Sequence, residues 1–210
     1  MTGGTSPYTY NWDSGDNTQD LSGKTATTYN LTVTDNNGCT ASTSQAITEP
    51  NAIGLSTAAT NVSCNSGNDG AVDLTVTGGT SPYTYNWDSG DNTQDLSGKT
   101  ATTYNVTVTD NNGCVASTSQ ALTEPNAIGL STAATNVSCN SGNDGAVDLT
   151  VTGGTSPYTY NWDSGDNTQD LSGKTATTYN VTVTDNNGCT ASTSQALTEP
   201  NAIGLSAVST

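Results

Sequence analysis

The chain has 210 residues, three lysines against 19 acidic residues and a formal net charge of −16, with neither His nor Phe, and Lys24, Lys99 and Lys174 are its only basic residues. Without His there is no Ser-His-Asp or Cys-His catalysis and no imidazole ligand for a metal; without Arg and with this charge, nucleic acid is excluded as a partner. No run of about 18 apolar residues exists to insert into a bilayer.

A repeat organises the whole sequence. Thr2–Trp12 returns at Thr77–Trp87 and at Thr152–Trp162, a period of 75 residues, so the chain holds about 2.8 nearly identical copies. That period is too long for a helical solenoid or a propeller blade and suits a small domain in tandem. Thr-Glu-Pro-Asn at 48–51, 123–126 and 198–201 reads as the linker, because Pro restricts the residue before it and ends regular pairing. The expected divisions are a truncated first repeat at 1–51, complete repeats at 52–126 and 127–201, and the start of a fourth at 202–210. Met1 stands where the other copies have Val76 and Val151, which reads as a start placed on an excised fragment.

In chain order through the second copy, a weak strand is predicted over Ile53–Thr57, followed by a turn at Asn65–Gly70. Val72, Leu74 and Val76 then alternate with polar residues, as one face of a half-buried strand does. A Gly-Gly-Thr-Ser-Pro turn at 78–82 precedes a second alternation, Tyr83, Tyr85 and Trp87. Asp88–Asp91 is the next turn. Tyr104, Val106 and Val108 mark a third strand, Asp110–Gly113 a turn, and Val115–Leu122 a final weak strand. No helical periodicity is present. Six to eight short strands per repeat predict an all-β fold of tandem immunoglobulin-like antiparallel sandwiches. The predicted core is Val72, Leu74, Val76, Tyr83, Tyr85, Trp87, Leu96, Tyr104, Val106, Val108 and Leu122.

A core of that size is marginal without a staple, and the cysteines supply one. Pairing Cys64 with Cys114 and Cys139 with Cys189 places one bridge in each complete repeat and leaves Cys39 unpaired. Each would close the same 50-residue loop, worth roughly 4 kcal/mol in the chain-entropy model. The alternatives are Cys39–Cys64 with Cys114–Cys139, across the linkers, or five reduced buried thiols. Disulfides point to an oxidising, extracytoplasmic compartment.

Three blocks carry a resemblance: Cys64-Asn-Ser-Gly-Asn-Asp-Gly-Ala-Val-Asp-Leu, Gly78-Gly-Thr-Ser-Pro-Tyr-Thr-Tyr-Asn-Trp, and Tyr104-Asn-Val-Thr-Val-Thr-Asp-Asn-Asn-Gly-Cys114 followed by Thr123-Glu-Pro. Together they resemble the SprB repeat of giant surface adhesins in gliding Bacteroidetes, over essentially the whole chain. Tyr83–Asp91 is also similar to the PKD domain, an extracellular immunoglobulin-like module. Lys99 and Thr102 depart from the family, which usually has an apolar residue and a Gly there. The resemblance implies secretion to the cell surface, long tandem arrays and a role in adhesion or gliding motility.

Candidate sites are few. Asp88, Asp91 and Asp95, repeated as Asp163, Asp166 and Asp170, offer hard oxygen ligands on a turn, making Ca²⁺ the one candidate cofactor; the alternative is Asp capping a tight turn. Glu124, beside the linker, is a further candidate for a Ca²⁺ site between repeats. Tyr83, Tyr85 and Trp87 are candidates for stacking on sugar rings, although the same alternation serves a core. Lys99 is expected to pair with nearby carboxylates. No acid–base pair sits in an evident site, so the chain is not expected to be an enzyme. The expected function is that of an extracellular tandem-repeat adhesin or surface-filament stalk acting as a mechanical spacer, with a polysaccharide-binding module as the alternative. Expected partners are an extracellular surface, polysaccharide, or neighbouring repeats and chains, the stub Ala202–Thr210 being able to pair with another chain's edge.

Overall fold

The computed structural model describes residues 1–206. It is all-β there, with fifteen strands in five three-stranded antiparallel sheets. Residues 54–122 carry β4 (Gly54–Thr60), β5 (Gly70–Thr77), β6 (Thr84–Trp87), β7 (Leu96–Lys99), β8 (Thr103–Thr109) and β9 (Val115–Ala121). The sheets run β4-β5-β7 and β6-β8-β9. Named in immunoglobulin order these are A-B-E against C-F-G, the connectivity of an immunoglobulin-like sandwich lacking strand D. The pattern repeats 75 residues on: β10 (Gly129–Thr135), β11 (Gly145–Thr152) and β13 (Leu171–Lys174) face β12 (Thr159–Trp162), β14 (Thr178–Thr184) and β15 (Thr190–Ala196).

The alternating residues meet between the sheets. Val72, Leu74, Trp87, Leu96, Tyr104, Val106, Val108 and Leu122 form one buried cluster, with Leu55, Val76, Tyr83 and Tyr85 packed at its border. The counterparts from Val147 to Leu197 form a second, separate cluster. Trp87 closes strand C, and its Nε1 donates to the Thr93 carbonyl at 2.9 Å, so the indole is buried with its polar atom satisfied. Tyr104, at the start of strand F, donates its hydroxyl to the Thr100 carbonyl at 3.1 Å, a tyrosine corner. Strand β7 shows no alternation in Leu-Ser-Gly-Lys and was not among the predicted strands; it pairs with β5 through Gly70↔Lys99 and Val72↔Leu96 around a bulge.

The first copy holds a single sheet, β1 (Thr9–Trp12), β2 (Thr28–Thr34) and β3 (Thr40–Ala46). Among the described residues no second sheet faces it. Every residue of β3 is therefore exposed, whereas β9 and β15 alternate between half-buried and exposed. The expected start of a fourth repeat at 202–210 shows no strand over 202–206, and 207–210 lie outside the described residues.

The cysteines depart from the expected pairing. Cys64 is bridged to Cys189, 125 residues away, while Cys39, Cys114 and Cys139 are free and exposed. The connectivity explains the correction. Cys64 lies in the A–B connection, at the C-terminal end of its sandwich, and Cys114 closes the F–G hairpin at the N-terminal end. Strands of seven residues separate the two ends by about 23 Å, far beyond the Cα separation of roughly 4.4–6.8 Å that a bridge spans. The same argument separates Cys139 from Cys189 within the next sandwich.

Candidate functional site: the junction between repeats

The junction is built by the linker and by the loops at either side of it. Thr123 N–H donates to Asn61 Oδ1 at 2.9 Å and its carbonyl accepts from Val62 N at 3.0 Å. Glu124 Oε1 accepts from Asn65 Nδ2 at 3.0 Å, Oε2 accepts from Ser66 N at 2.7 Å, and Asn65 Nδ2 also reaches the Pro125 carbonyl at 3.2 Å. The next two residues belong to the following sandwich. The Asn126 carbonyl accepts from Gly154 N at 2.8 Å. Gly153 has φ +67°, and a Cβ there would lie 2.0 Å from the Ala127 carbonyl oxygen, so only glycine lets the linker seat against the B–C turn. From 123 to 127 each residue is thus tied to one sandwich or the other.

Direct contacts complete the junction. The Cys64–Cys189 bridge has a Cα separation of 5.7 Å, and Asn187 Nδ2 donates to the Ser63 carbonyl at 2.8 Å. Asp185 shapes the hairpin that carries Cys189. It is buried, yet its carboxylate accepts from Thr155 N at 2.8 Å and from the N–H groups of Asn187 and Cys189 at 2.9 Å each. Burial alone would raise its pKa; the hydrogen bonds from Thr155, Cys189 and Asn187 outweigh it and hold the group below the ordinary aspartate value. Asp110 does the same around Thr80, Asn112 and Cys114. On the other side, Asp69 takes the Ser63 hydroxyl and Ser63 N, which holds its own pKa low and fixes the loop before Cys64.

The carboxylates proposed for Ca²⁺ are not brought together. Asp88 Oδ2 accepts from Asn105 Nδ2 at 2.6 Å, Asp91 Oδ2 pairs with Lys99 Nζ at 2.6 Å and takes the Ser89 hydroxyl, and Asp95 Oδ1 accepts from Leu74 N at 2.9 Å. Asp163, Asp166 and Asp170 repeat these bonds with Asn180, Lys174 and Leu149. The ion pair with Lys99 is the leading cause of the low Asp91 pKa. Among the described residues no three acidic or cysteine side chains gather as a metal site. Glu124 is likewise engaged, by Asn65 and Ser66.

The aromatic candidates are also placed. Trp87 is 1% exposed and offers no face to a sugar. Tyr83 and Tyr85 are half-buried against the core, with their hydroxyls on the Gly78 carbonyl at 2.5 Å and Gln94 Oε1 at 3.1 Å. No helix among the described residues is long and apolar enough to cross a membrane.

Sequence reasoning placed Glu124 at the junction, assigned Cys64 and Cys189 to bridges inside their own repeats, and missed Asn65, Ser66, Gly153 and Asp185 as junction residues. Their signal was the position of Asn-Ser and Gly-Gly in turns that the connectivity brings to facing ends.

No curated protein matches the chain. Among solved structures, the N-terminal eight Ig domains of Down Syndrome Cell Adhesion Molecule isoform 1.30.30 align at 12% identity and a TM-score of 0.45, over 92% of this chain and 33% of that one. The N-terminal four Ig domains of Dscam1 isoform 9.44 align at 12% identity and a TM-score of 0.35, over 91% and 64%. The chain spans a third of the first and less than two thirds of the second. The SprB repeat model matches residues 56–92 and 131–167, two segments one period apart that run from strand A through strand C of each complete sandwich. Each complete sandwich thus contains one segment that is similar to the SprB repeat.

Proposed function

We propose that the chain is a section of an extracellular, cell-surface adhesin or surface filament in which repeats 52–126 and 127–201 act as stiff spacer units. The observation that carries this reading is the linker: residues 123–127 are each bonded to, or packed on, one of the two sandwiches, which leaves no hinge. The bridge and the Asn187–Ser63 bond close the junction beside it. Near-identical copies suit a uniform spacer better than a set of distinct binding sites. The charge of −16 keeps such arrays soluble and mutually repulsive.

Small-angle scattering tests the stiffness. Three units of roughly 30–40 Å each give a longest dimension of about 100 Å and a radius of gyration near 30 Å, against about 17 Å for a compact globule of this length. A compact value, or an ensemble that needs a freely jointed linker, contradicts the proposal.

A further inference from the structure

We propose that in an array of this repeat every junction carries the same disulfide, from the first cysteine of one repeat to the second cysteine of the next. Cys139 is then the open half of the following junction and Cys114 the open half of the preceding one. The inference rests on the stacked-repeat reading and adds a covalent register to it.

Both open halves are already shaped like the closed ones. Around Cys64, Asn65 and Ser66 bond Glu124, and Gly67 N bonds the Cys64 carbonyl at 3.0 Å. Around Cys139, Asn140 Nδ2 and Ser141 N bond Glu199 at 3.0 and 2.8 Å, and Gly142 N bonds the Cys139 carbonyl at 3.0 Å. Cys189 N sits on Asp185 Oδ1 at 2.9 Å, and Cys114 N on Asp110 Oδ1 at 2.8 Å. One group differs. Asn187 Nδ2 bonds both Thr155 Oγ1 and, across the junction, the Ser63 carbonyl; its counterpart Asn112 bonds Thr80 Oγ1 within its own unit. Asn112 and Cys114 therefore present a hairpin formed for a preceding A–B loop. Each bridge forms when two thiols lose two protons and two electrons to a disulfide oxidant, which is reduced to two thiols.

The consequence is mechanical. Cys114 to Cys139 is 25 residues, containing β9, the linker and β10, with both strands running toward the C-terminal end. With bridges at either end of that segment, a covalent path advances two repeats on 25 residues of chain and one disulfide. Fully drawn out, 25 residues span about 90 Å, against about 500 Å for the 150 residues of two unbridged repeats. Two such paths alternate along the array, one through strand G and one through strand A of every sandwich. Pulling then meets nearly taut strands before any core opens.

The three lysines make the test direct. The experiment uses the chain lengthened by one further copy of residues 127–201 inserted after Asn201, refolded in oxidised and reduced glutathione, alkylated and cut at lysine. Cys64 and Cys139 fall on fragments 25–99 and 100–174. The proposal predicts two separate linked pairs: 25–99 with the fragment holding Cys189, and 100–174 with the C-terminal fragment. Cys64→Ser should abolish the first pair and leave the second. Bridges within repeats would join all four fragments into one species and overturn the proposal. A lone Cys64 bridge with a free C-terminal fragment would overturn it as well. The stalk reading fails separately, by a compact or freely jointed particle in scattering.

Discussion

Trp87 is the residue on which each sandwich depends most visibly. It is 1% exposed, closes strand C and is buried among Val72, Leu74, Val106 and Val108. Trp87→Ala removes its buried surface and leaves a cavity, at a cost of about 3–5 kcal/mol. The expected outcome is loss of the melting transition of residues 52–126, with that of 127–201 retained, by calorimetry. Asp110 sets a second requirement. One carboxylate takes three backbone N–H groups from two loops, so Asp110→Asn leaves at least one donor facing an amide N–H₂. A melting temperature lower by several degrees is expected, and an unchanged one would contradict the role assigned to the carboxylate. Trp87 was legible in the sequence as either core or sugar platform, because alternation on a strand reports a face and not what covers it. Asp110 read only as a turn residue, since its partner Thr80 lies 30 positions away.

Strands B, C and F were legible because Val, Leu, Tyr and Trp alternate at period two; A and G, Gly-Leu-Ser-Thr-Ala-Ala-Thr and Val-Ala-Ser-Thr-Ser-Gln-Ala, lack that alternation and read only as weak strands. Strand β7 was not legible, because Leu96 is the only apolar side chain in a four-residue edge strand. The disulfide was misread for a reason of the same kind. Equal spacing between Cys64 and Cys114 and between Cys139 and Cys189 says nothing about which end of a sandwich each reaches; A-B-E against C-F-G connectivity does, by sending the A–B and F–G loops to opposite ends. The linker elements carry their own predictions. Glu124→Ala frees Asn65 and Ser66, so the loop before strand B should wander and Cys64 should bridge Cys189 several-fold more slowly, followed by quenched refolding under glutathione. An unchanged rate would show that the loop is held by other means. Gly153→Ala places a methyl against the Ala127 carbonyl at positive φ. It should loosen the junction and shift the scattering curve toward a jointed particle; an unchanged curve would contradict the close seating of the linker.

Across the whole molecule the charge has two opposing consequences. Asp16, Asp35, Asp69, Asp88, Asp91, Asp110, Asp144, Asp163, Asp166 and Asp185 all have folded pKa values below their ordinary 3.8. A lowered folded pKa contributes stability that is complete above 3.8 and lost as pH falls through the folded values. Protonation also relieves repulsion among the excess acids, which acts the other way. The melting temperature should therefore stay nearly level from pH 7 to 5 and fall below about pH 3.8; a rise in that acid range would mean that repulsion dominates. EDTA should leave it unchanged, because the candidate carboxylates are engaged by Asn105, Lys99 and the Leu74 N–H. The central claim, that the repeats are stapled at their junction and not inside themselves, is a statement about length under load. Pulling the oxidised chain by its termini and then reducing it measures this directly. The account predicts that reduction releases one hidden segment of 125 residues, roughly 450 Å of contour. Two releases of about 180 Å each, the signature of 50-residue loops within repeats, or no release at all, would contradict it.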